Sequence, residues 1–573
     1  MKFEAHSGPA LPAWRRVVVM VVLLLLPVLL LARAASLQYL EGDFLQSQGD
    51  QRHLRVEALP AHRGAIYDRH GEPLAISAPV DSVWADPGVL LASAEPNAIE
   101  RLAEVLNLDA SALRENLRNR RAREFVYIRR HVAPALAEAV MALNIPGLAL
   151  QREYRRFYPA GEVTGHVLGF TNIDDRGQEG LELAYDQWLS GSSGSKRVLR
   201  DRWGRNIEDV ERLSEPSPGR ELTLTLDRRL QYIAYRELKA AVERHGASGG
   251  SVVLMAPESG EILAMVNQPA FNPNRRSDIS GGRYRNRALT DIFEPGSVIK
   301  PFTIAAALRS GRYAPNTMIE TAPGLMRVGG HQVEDVRNFG NLDVADVLKK
   351  SSNVGAARIA LDLGEGHVWQ VLNEVGLGQP TGIAFPGEAS GHLASTPTER
   401  PVERATLAYG YGVSVSTLQL ARAYAAIAAN GRLPTPTLLT NAQAPAAEQV
   451  MNPQIAGQLR DMLAAVTQAG GTATQAAIPG YRVAGKTGTS RKAIAGGYAD
   501  DRYISTFAGM APASDPAFVA VVSINEPTGS DYYAGPVAGP VFRALISDAL
   551  RLYDIEPEAP VVADITVAQG QQP

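Results

Sequence analysis

An unbroken apolar run, Val17 to Ala32, stands near the start of the chain with Arg15 and Arg16 before it and Arg33 after it. A membrane-spanning helix needs roughly 20 residues, with about 17 as a lower limit. Trp14 and Leu37 extend the run to that length if the arginines snorkel to the interfaces, and Pro27 is tolerated in such a helix. Arginines at both ends argue against a buried core helix. Ala32-Arg33-Ala34 matches a signal-peptidase site only crudely, so the run is read as an uncleaved anchor over residues 14–36. Lys2, Arg15 and Arg16 then stay cytoplasmic, which puts everything after Arg33 outside.

From Leu37 to Pro218 the pattern is charged and broken into short pieces. Ile66-Tyr67 and Pro73-Leu74-Ala75 flank His70-Gly71 as a hairpin would, and Ile99–Leu106 and Ala133–Leu143 have helical apolar spacing. Gly191–Ser195 reads as a loop by composition. At Gly219 the pattern changes. Glu221–Leu226 alternates as a strand, and Asp227 then caps a helix carrying Leu230, Ile233, Leu238, Ala241 and Val242, which His245-Gly246 ends. Ser251–Met255 and Ile262–Val266 are strands around the Glu258-Ser259-Gly260 turn. Further strands are expected at Ile504–Met510 and Phe518–Ile524, and a last helix at Val537–Leu552. This predicts a multidomain α/β (α+β) chain whose antiparallel sheet is assembled from both ends of its second domain, with a helical region inserted between. The expected divisions are a cytoplasmic N-terminus (1–13), the anchor (14–36), a non-catalytic domain (37–218), a catalytic domain (219–556) and a disordered tail (557–573).

Composition excludes more than it assigns. The 573 residues and 45% hydrophobic content suit several full cores, and a net charge of −3 gives no electrostatic case for nucleic acid. There is no cysteine, hence no disulfide and no thiolate metal site. With no His-Glu-x-x-His, P-loop or Gly-x-Gly-x-x-Gly motif after a strand, no metal or nucleotide cofactor is expected.

Candidate chemistry begins at Phe293-Glu-Pro-Gly-Ser-Val-Ile-Lys-Pro301. Pro301 is tolerated only in the first turn of a helix, so the helix is predicted to start close to Ser297. A spacing of three puts the Ser297 hydroxyl beside the Lys300 amine, at the positive end of the helix dipole. A lysine kept neutral by burial or a cationic neighbour can act as base towards such a serine. Taken alone, the pair is equally a helix N-cap with an exposed lysine one turn on, and Ser193-Gly-Ser-Lys196 matches the same spacing within a Gly/Ser-rich turn.

Two further elements follow in order. Ser351 and Asn353 flank a turn after a helical stretch and can relay a proton and hold Lys300. That pattern is also an ordinary helix C-terminal turn, and Ser523-Ile-Asn525 repeats it at a strand end. Lys486-Thr487-Gly488-Thr489 offers a fixed cation, a hydroxyl and a position where a ligand can approach a strand closely, a pattern suited to a carboxylate.

The order Ser-x-x-Lys, Ser-x-Asn, Lys-Thr-Gly at 297, 351 and 486 resembles the penicillin-recognising serine acyltransferases. Arg63-Gly64, Asp68-Arg69-x-Gly71-Glu72, Arg156-Phe-Tyr-Pro-Ala-Gly161, His166, Gly169 and Gly177-Gln-Glu-Gly-Leu-Glu182 resemble the N-terminal signature of class B penicillin-binding proteins. The similarity runs from about Arg63 to Leu552 and is nearest the division-specific branch of Gram-negative bacteria. It implies an anchored protein with an elongated pedestal domain below a penicillin-binding transpeptidase domain. The pedestal glycines and arginines are expected to fix turns and interdomain salt bridges, and His166 to be a structural hydrogen-bonding residue.

The implied activity is peptidoglycan D,D-transpeptidation. Ser297 is the nucleophile and Lys300 its base, Ser351 and Asn353 pass the proton onward, and Lys486, Thr487 and Thr489 hold the donor carboxylate. The backbone N–H groups of Ser297 and Thr489 form the implied oxyanion hole. Implied partners are D-Ala-D-Ala stem peptides and their amine acceptors, β-lactams, a membrane glycosyltransferase of the SEDS type, other division proteins and the inner membrane. A D,D-carboxypeptidase shares this chemistry, and a non-catalytic β-lactam-binding scaffold or sensor shares the fold. The intact lysines and Asn353, and the short segment before the anchor, argue against the latter two.

Overall fold

Ala13–Ala35 form one helix (α1), continued by a π-turn at Ser36–Leu40; it is exposed along its length and long and apolar enough to cross a membrane. The computed structural model describes residues 12–41, 54–93, 97–200, 206–278, 281–440, 446–529 and 531–558. The cytoplasmic N-terminus expected over 1–13 falls outside these except for its last two residues, and the tail expected over 557–573 except for its first two.

The chain divides into two compact units, one of residues 1–61, 79–154 and 192–217, the other of 62–78, 155–191 and 218–573. In the first, Leu54–Leu59, Gly194–Arg200 and Asn206–Ser214 form a three-stranded antiparallel sheet. The strand therefore starts inside the Gly191–Ser195 stretch expected to be loop, because Ser195 has Ala58 and Ser214 as ladder partners. Three helices, Ala98–Leu106, Ala110–Asn119 and Pro134–Ala142, bury Leu102, Leu106, Leu117 and Val140.

The second unit is built on a five-stranded antiparallel sheet. Asp227 caps helix α2 (Arg228–Arg244) by accepting the Arg229 N–H, and two strands follow, β1 (Gly249–Met255) and β2 (Ile262–Gln268). The chain then leaves the sheet for a long helical region: α3 (Lys300–Arg309), the hairpin β3 (Leu325–Val328) and β4 (His331–Glu334), α4 (Val344–Lys350), α5 (Asn353–Leu363), α6 (Thr417–Ala428) and α7 (Pro453–Thr467). It returns as β5 (Ala484–Ile494), β6 (Gly497–Ala511), β7 (Phe518–Asn525) and helix α8 (Ala534–Leu552). The strand order is β2-β1-β7-β6-β5, so first and last strands in the chain meet in the middle.

Successive side chains of a strand face opposite ways, and both faces here are covered. Val252, Leu254 and Val522 belong to a core with Leu238 of α2 and Phe542 and Leu545 of α8. Val253, Met255 and Val521 belong to the other, with Phe302 of α3 and Tyr424 of α6. Every residue of β1 is buried, which explains its near-continuous apolar sequence.

Glu221–Leu226 is strand only at Leu222–Thr223, paired in parallel with Ile66–Tyr67. Its alternation is real, since Leu222, Leu224 and Leu226 are buried, but Thr225 uses its hydroxyl on the carbonyls of Ile262 and Thr437 in place of a ladder. Two signature arginines of the N-terminal half, Arg63 and Arg156, converge on Glu182, which is fully buried. It accepts from Arg63 Nε at 2.8 Å and Arg156 Nε at 2.6 Å, and Arg63 also reaches Asp186 at 2.7 Å. All four lie within the second unit. His166 is buried, with Nε2 2.9 Å from the Arg283 carbonyl oxygen; burial pushes its pKa down to about 4, so the ring is neutral and donates.

Candidate active site

The turn that carries Ser297 is a single 3-10 turn, Gly296–Ile299, and the α-helix begins only at Lys300. The helix was expected to start nearer Ser297. Pro301 has no N–H and occupies the first helical turn, so regular α geometry starts at its neighbour. Gly296 takes φ +60° and donates its N–H to the Gly410 carbonyl at 3.1 Å. Tyr424, wholly buried in α6, donates to the Val298 carbonyl at 2.8 Å. From the other side Ser490 donates to the Glu294 carbonyl at 2.7 Å. The Ser297 turn is thus tied to α6, to the 410 turn and to β5.

Gly488 belongs to that clamp. A Cβ there would lie 2.6 Å from the Pro295 carbonyl oxygen and 3.0 Å from Val298 Cγ1. The close approach expected of a ligand is made by the Ser297 turn itself, and the missing side chain lets β5 reach it.

Lys300 is fully buried, and four atoms surround its amine: Ser297 Oγ at 2.9 Å, the Ser351 carbonyl at 2.6 Å, Ser351 Oγ at 3.1 Å and Asn353 Oδ1 at 2.8 Å. Asn353 Nδ2 donates to the Glu334 carbonyl at 2.9 Å, which fixes the amide with its oxygen towards the lysine. Burial first, then the positive charge of Lys486, hold the Lys300 amine well below its ordinary pKa, while Asp335 acts in the other direction. A neutral amine has two N–H groups. Ser351 O and Asn353 Oδ1 can only accept and take both, which leaves the lone pair for a hydroxyl.

Ser351 Oγ stands between two lysines, since Lys486 Nζ lies 2.9 Å from it on the far side. Lys486 also donates to Thr487 O at 3.0 Å and approaches Thr487 Oγ1 at 3.4 Å; burial pushes its pKa down to about 7. Ser351 adopts φ +59° as the C-cap of α4, and Ser352 then caps α5, of which Asn353 is the first residue. Two helices separated only by their cap residues, Ser351 and Ser352, place Ser351 and Asn353 side by side. Thr489, half-buried, accepts the Ala534 N–H at 3.1 Å through Oγ1.

The structure therefore gathers Ser297, Lys300, Ser351, Asn353, Lys486 and Thr487 in one contact network, with Gly488 and Thr489 on the same strand. It does not gather the look-alikes. Lys196 is on a strand and pairs with Asp209 at 3.0 Å, while Ser523 and Asn525 lie in β7. Sequence reasoning passed over Asp335, whose carboxylate accepts from the N–H groups of Asn353 at 2.5 Å and Val354 at 3.1 Å and from Ser352 Oγ at 2.6 Å. It also passed over Thr472, 2.8 Å from Thr487 hydroxyl to hydroxyl. Neither sits in a local motif; a fold is needed to bring them in.

Residues 250–547 match the model of the penicillin-binding protein transpeptidase domain, and residues 58–224 that of the penicillin-binding protein dimerisation domain. The probable peptidoglycan D,D-transpeptidase PbpC of Pseudomonas aeruginosa is 41% identical, over 96% of this chain and 98% of its own. The peptidoglycan D,D-transpeptidase FtsI of Escherichia coli is 40% identical, over 98% of this chain and 96% of its own. Among solved structures, penicillin-binding protein 3 of Mycobacterium tuberculosis complexed with aztreonam superposes with a TM-score of 0.68 at 27% identity, covering 88% of this chain and 99% of that one.

Proposed function

The chain belongs to the class B penicillin-binding proteins, and from that membership we propose how its own residues carry out D,D-transpeptidation of peptidoglycan. Ser297 Oγ attacks the carbonyl between the two terminal D-alanines of a stem peptide as its proton passes to the Lys300 lone pair. The developing oxyanion is held by the backbone N–H groups of Ser297 and Thr489. Lys486 and Thr487 grip the terminal carboxylate, with Thr489 beside them. Ser351, hydrogen-bonded to both lysines, hands the proton to the leaving amine, and Asn353 orients Lys300 and the donor. D-Alanine leaves, and the amine of a neighbouring stem peptide resolves the acyl-enzyme. β-Lactams enter as donors and remain attached.

The observation that carries this reading is the set of contacts around Lys300, in which both N–H groups of a neutral amine are committed to acceptors and Ser297 stands 2.9 Å away. In the same proposal α1 anchors the protein in the inner membrane with the catalytic unit in the periplasm. The work is septal, alongside a SEDS-type membrane glycosyltransferase and other division proteins, as the resemblance to the division-specific branch implies. The test of the chemistry is intact-protein mass with and without penicillin, then peptide mapping. One adduct on the peptide containing Ser297, lost in Ser297→Ala with the melting temperature kept, is the expected result. Labelling that persists in the variant, or maps to Ser193, overturns the assignment.

A further inference from the structure

Thr472 lies in the connection between α7 and β5, outside the Ser-x-x-Lys, Ser-x-Asn and Lys-Thr-Gly motifs. Its loop is tied on four sides. Gly471 N–H donates to the Gln468 carbonyl at 2.9 Å, and Ala473 N–H to the Val466 carbonyl at 3.1 Å, with the Ala473 side chain fully buried. Lys350, the residue before Ser351, donates to the Gly470 carbonyl at 2.9 Å. Gly535 of α8 packs so closely that a Cβ there would lie 2.6 Å from the Thr472 carbonyl oxygen. The backbone is held, yet the Thr472 side chain is exposed, with its hydroxyl 2.8 Å from Thr487 Oγ1, which belongs to a residue only 9% exposed.

Each hydroxyl has one proton to give. The Lys486 amine, 3.4 Å from Thr487 Oγ1, also faces that oxygen as a donor. If Thr487 donated to Thr472, its only proton would be spent away from the lysine and away from any anion beside it. With Thr472 as donor, Thr487 receives from Thr472 and Lys486 and its own O–H is released towards the anion, and a chain of hydroxyls aligned in this way is mutually strengthening. We propose that Thr472 is a positioning residue of the carboxylate site, donating to Thr487 Oγ1 so that the Thr487 hydroxyl points at the donor's terminal carboxylate. The assignment rests on the reading of Thr487 as a carboxylate ligand.

The test times acylation of the full-length protein by a penicillin and by the same penicillin with its carboxylate replaced by a neutral amide. Both are run on the parent, Thr472→Val, Thr472→Ser, Thr487→Val and the double valine variant. Loss of one neutral hydrogen bond predicts that Thr472→Val slows the carboxylate donor about three- to tenfold and the amide donor hardly at all. Thr472→Ser, which keeps the hydroxyl, returns the parent rate. In the double variant the Thr472 change adds nothing to Thr487→Val, since the two act through one hydroxyl. Equal fractional losses for both donors in Thr487→Val remove the carboxylate reading itself. If Thr487→Val discriminates between donors while Thr472→Val does not, or if the two valine effects multiply, that reading stands and the role of Thr472 is overturned.

Discussion

Replacing Lys486 by methionine is expected to stabilise the protein while disabling it. The amine is fully buried, and burial brings its pKa from 10.5 to about 7. At 1.36 kcal/mol per pH unit, holding it there costs the folded state about 4 kcal/mol at pH 7. Methionine fills similar space without a charge. Against that gain, Ser351 Oγ, Thr487 O and Thr487 Oγ1 lose a donor, an offset of about 1–2 kcal/mol. A net gain of about 2–3 kcal/mol, set against an unfolding entropy of about 2.1 cal/mol/K per residue over a domain of more than about 300 residues, corresponds to roughly 3–4 °C. Between about pH 7 and 10.5 the unfolded chain binds more protons at this position than the folded one, so the parent gains stability as pH rises. The advantage of the variant is therefore full at and below pH 7 and fades towards pH 10.5. Acylation by carboxylate-bearing donors falls tenfold to 150-fold, the scale of a lost charge-assisted hydrogen bond at about 1.5–3 kcal/mol. Thermal melts of the detergent-solubilised full chain from pH 6 to 10, with acylation rates at each pH, measure both. A variant that melts below the parent at pH 7, or a difference that does not change with pH, refutes the reasoning.

The remaining expectations concern the base and its support. Lys300→Arg keeps a cation that stays protonated, so single-turnover acylation is expected to slow at least a hundredfold with no recovery at high pH; near-normal rates exclude lysine as base. Asp335→Asn removes the one acidic charge that raises the Lys300 pKa, so the acidic limb of the acylation profile moves to lower pH. The same change loosens the cap on Asn353 and lowers the plateau about tenfold. A plateau reduced with an unmoved limb leaves Asp335 a purely structural cap.

Most of the sheet was legible because buried strands announce themselves: Ser251–Met255, Ile262–Val266 and Phe518–Ile524 are apolar runs between turn residues, and the helix after Asp227 has its cap and stripe in plain view. The motif residues were legible for a different reason. Ser297 and Lys300, or Ser351 and Asn353, are local in the chain, so spacing alone brings each pair together. What was hidden is what acts across distance. Asp335 precedes Ser351 by a short strand and a helix, Thr472 precedes Thr487 by a loop whose path depends on Gly535, and neither has a periodicity to betray it. The failure at Glu221–Leu226 has the same root, because alternation records burial on one side and says nothing of whether a neighbouring strand is there to pair with.

One property of the site follows from strand order alone. β5 is the last strand of the sheet, so it pairs with β6 on one side and has no strand on the other among the described residues. Along its length Lys486, Gly488 and Ser490 alternate onto the face that meets Ser351, the Pro295–Val298 turn and Glu294, while Thr487 and Thr489 meet Thr472 and the start of α8. An edge strand turns every second N–H and C=O outward, and an exposed edge is a template for an extended peptide. Here the template lies against the Ser297 turn, pinned to it through Gly488 and Ser490. An extended donor laid along β5 would be aligned by main-chain hydrogen bonds whatever its side chains, with selectivity left to the groups that grip its end. Introducing proline at an outward-facing position of β5 should therefore weaken peptide donors far more than a compact β-lactam, whose single ring needs little of the edge. Equal loss for both, measured as acylation rate per donor with the melting temperature unchanged, would show that the edge serves the fold and not the donor.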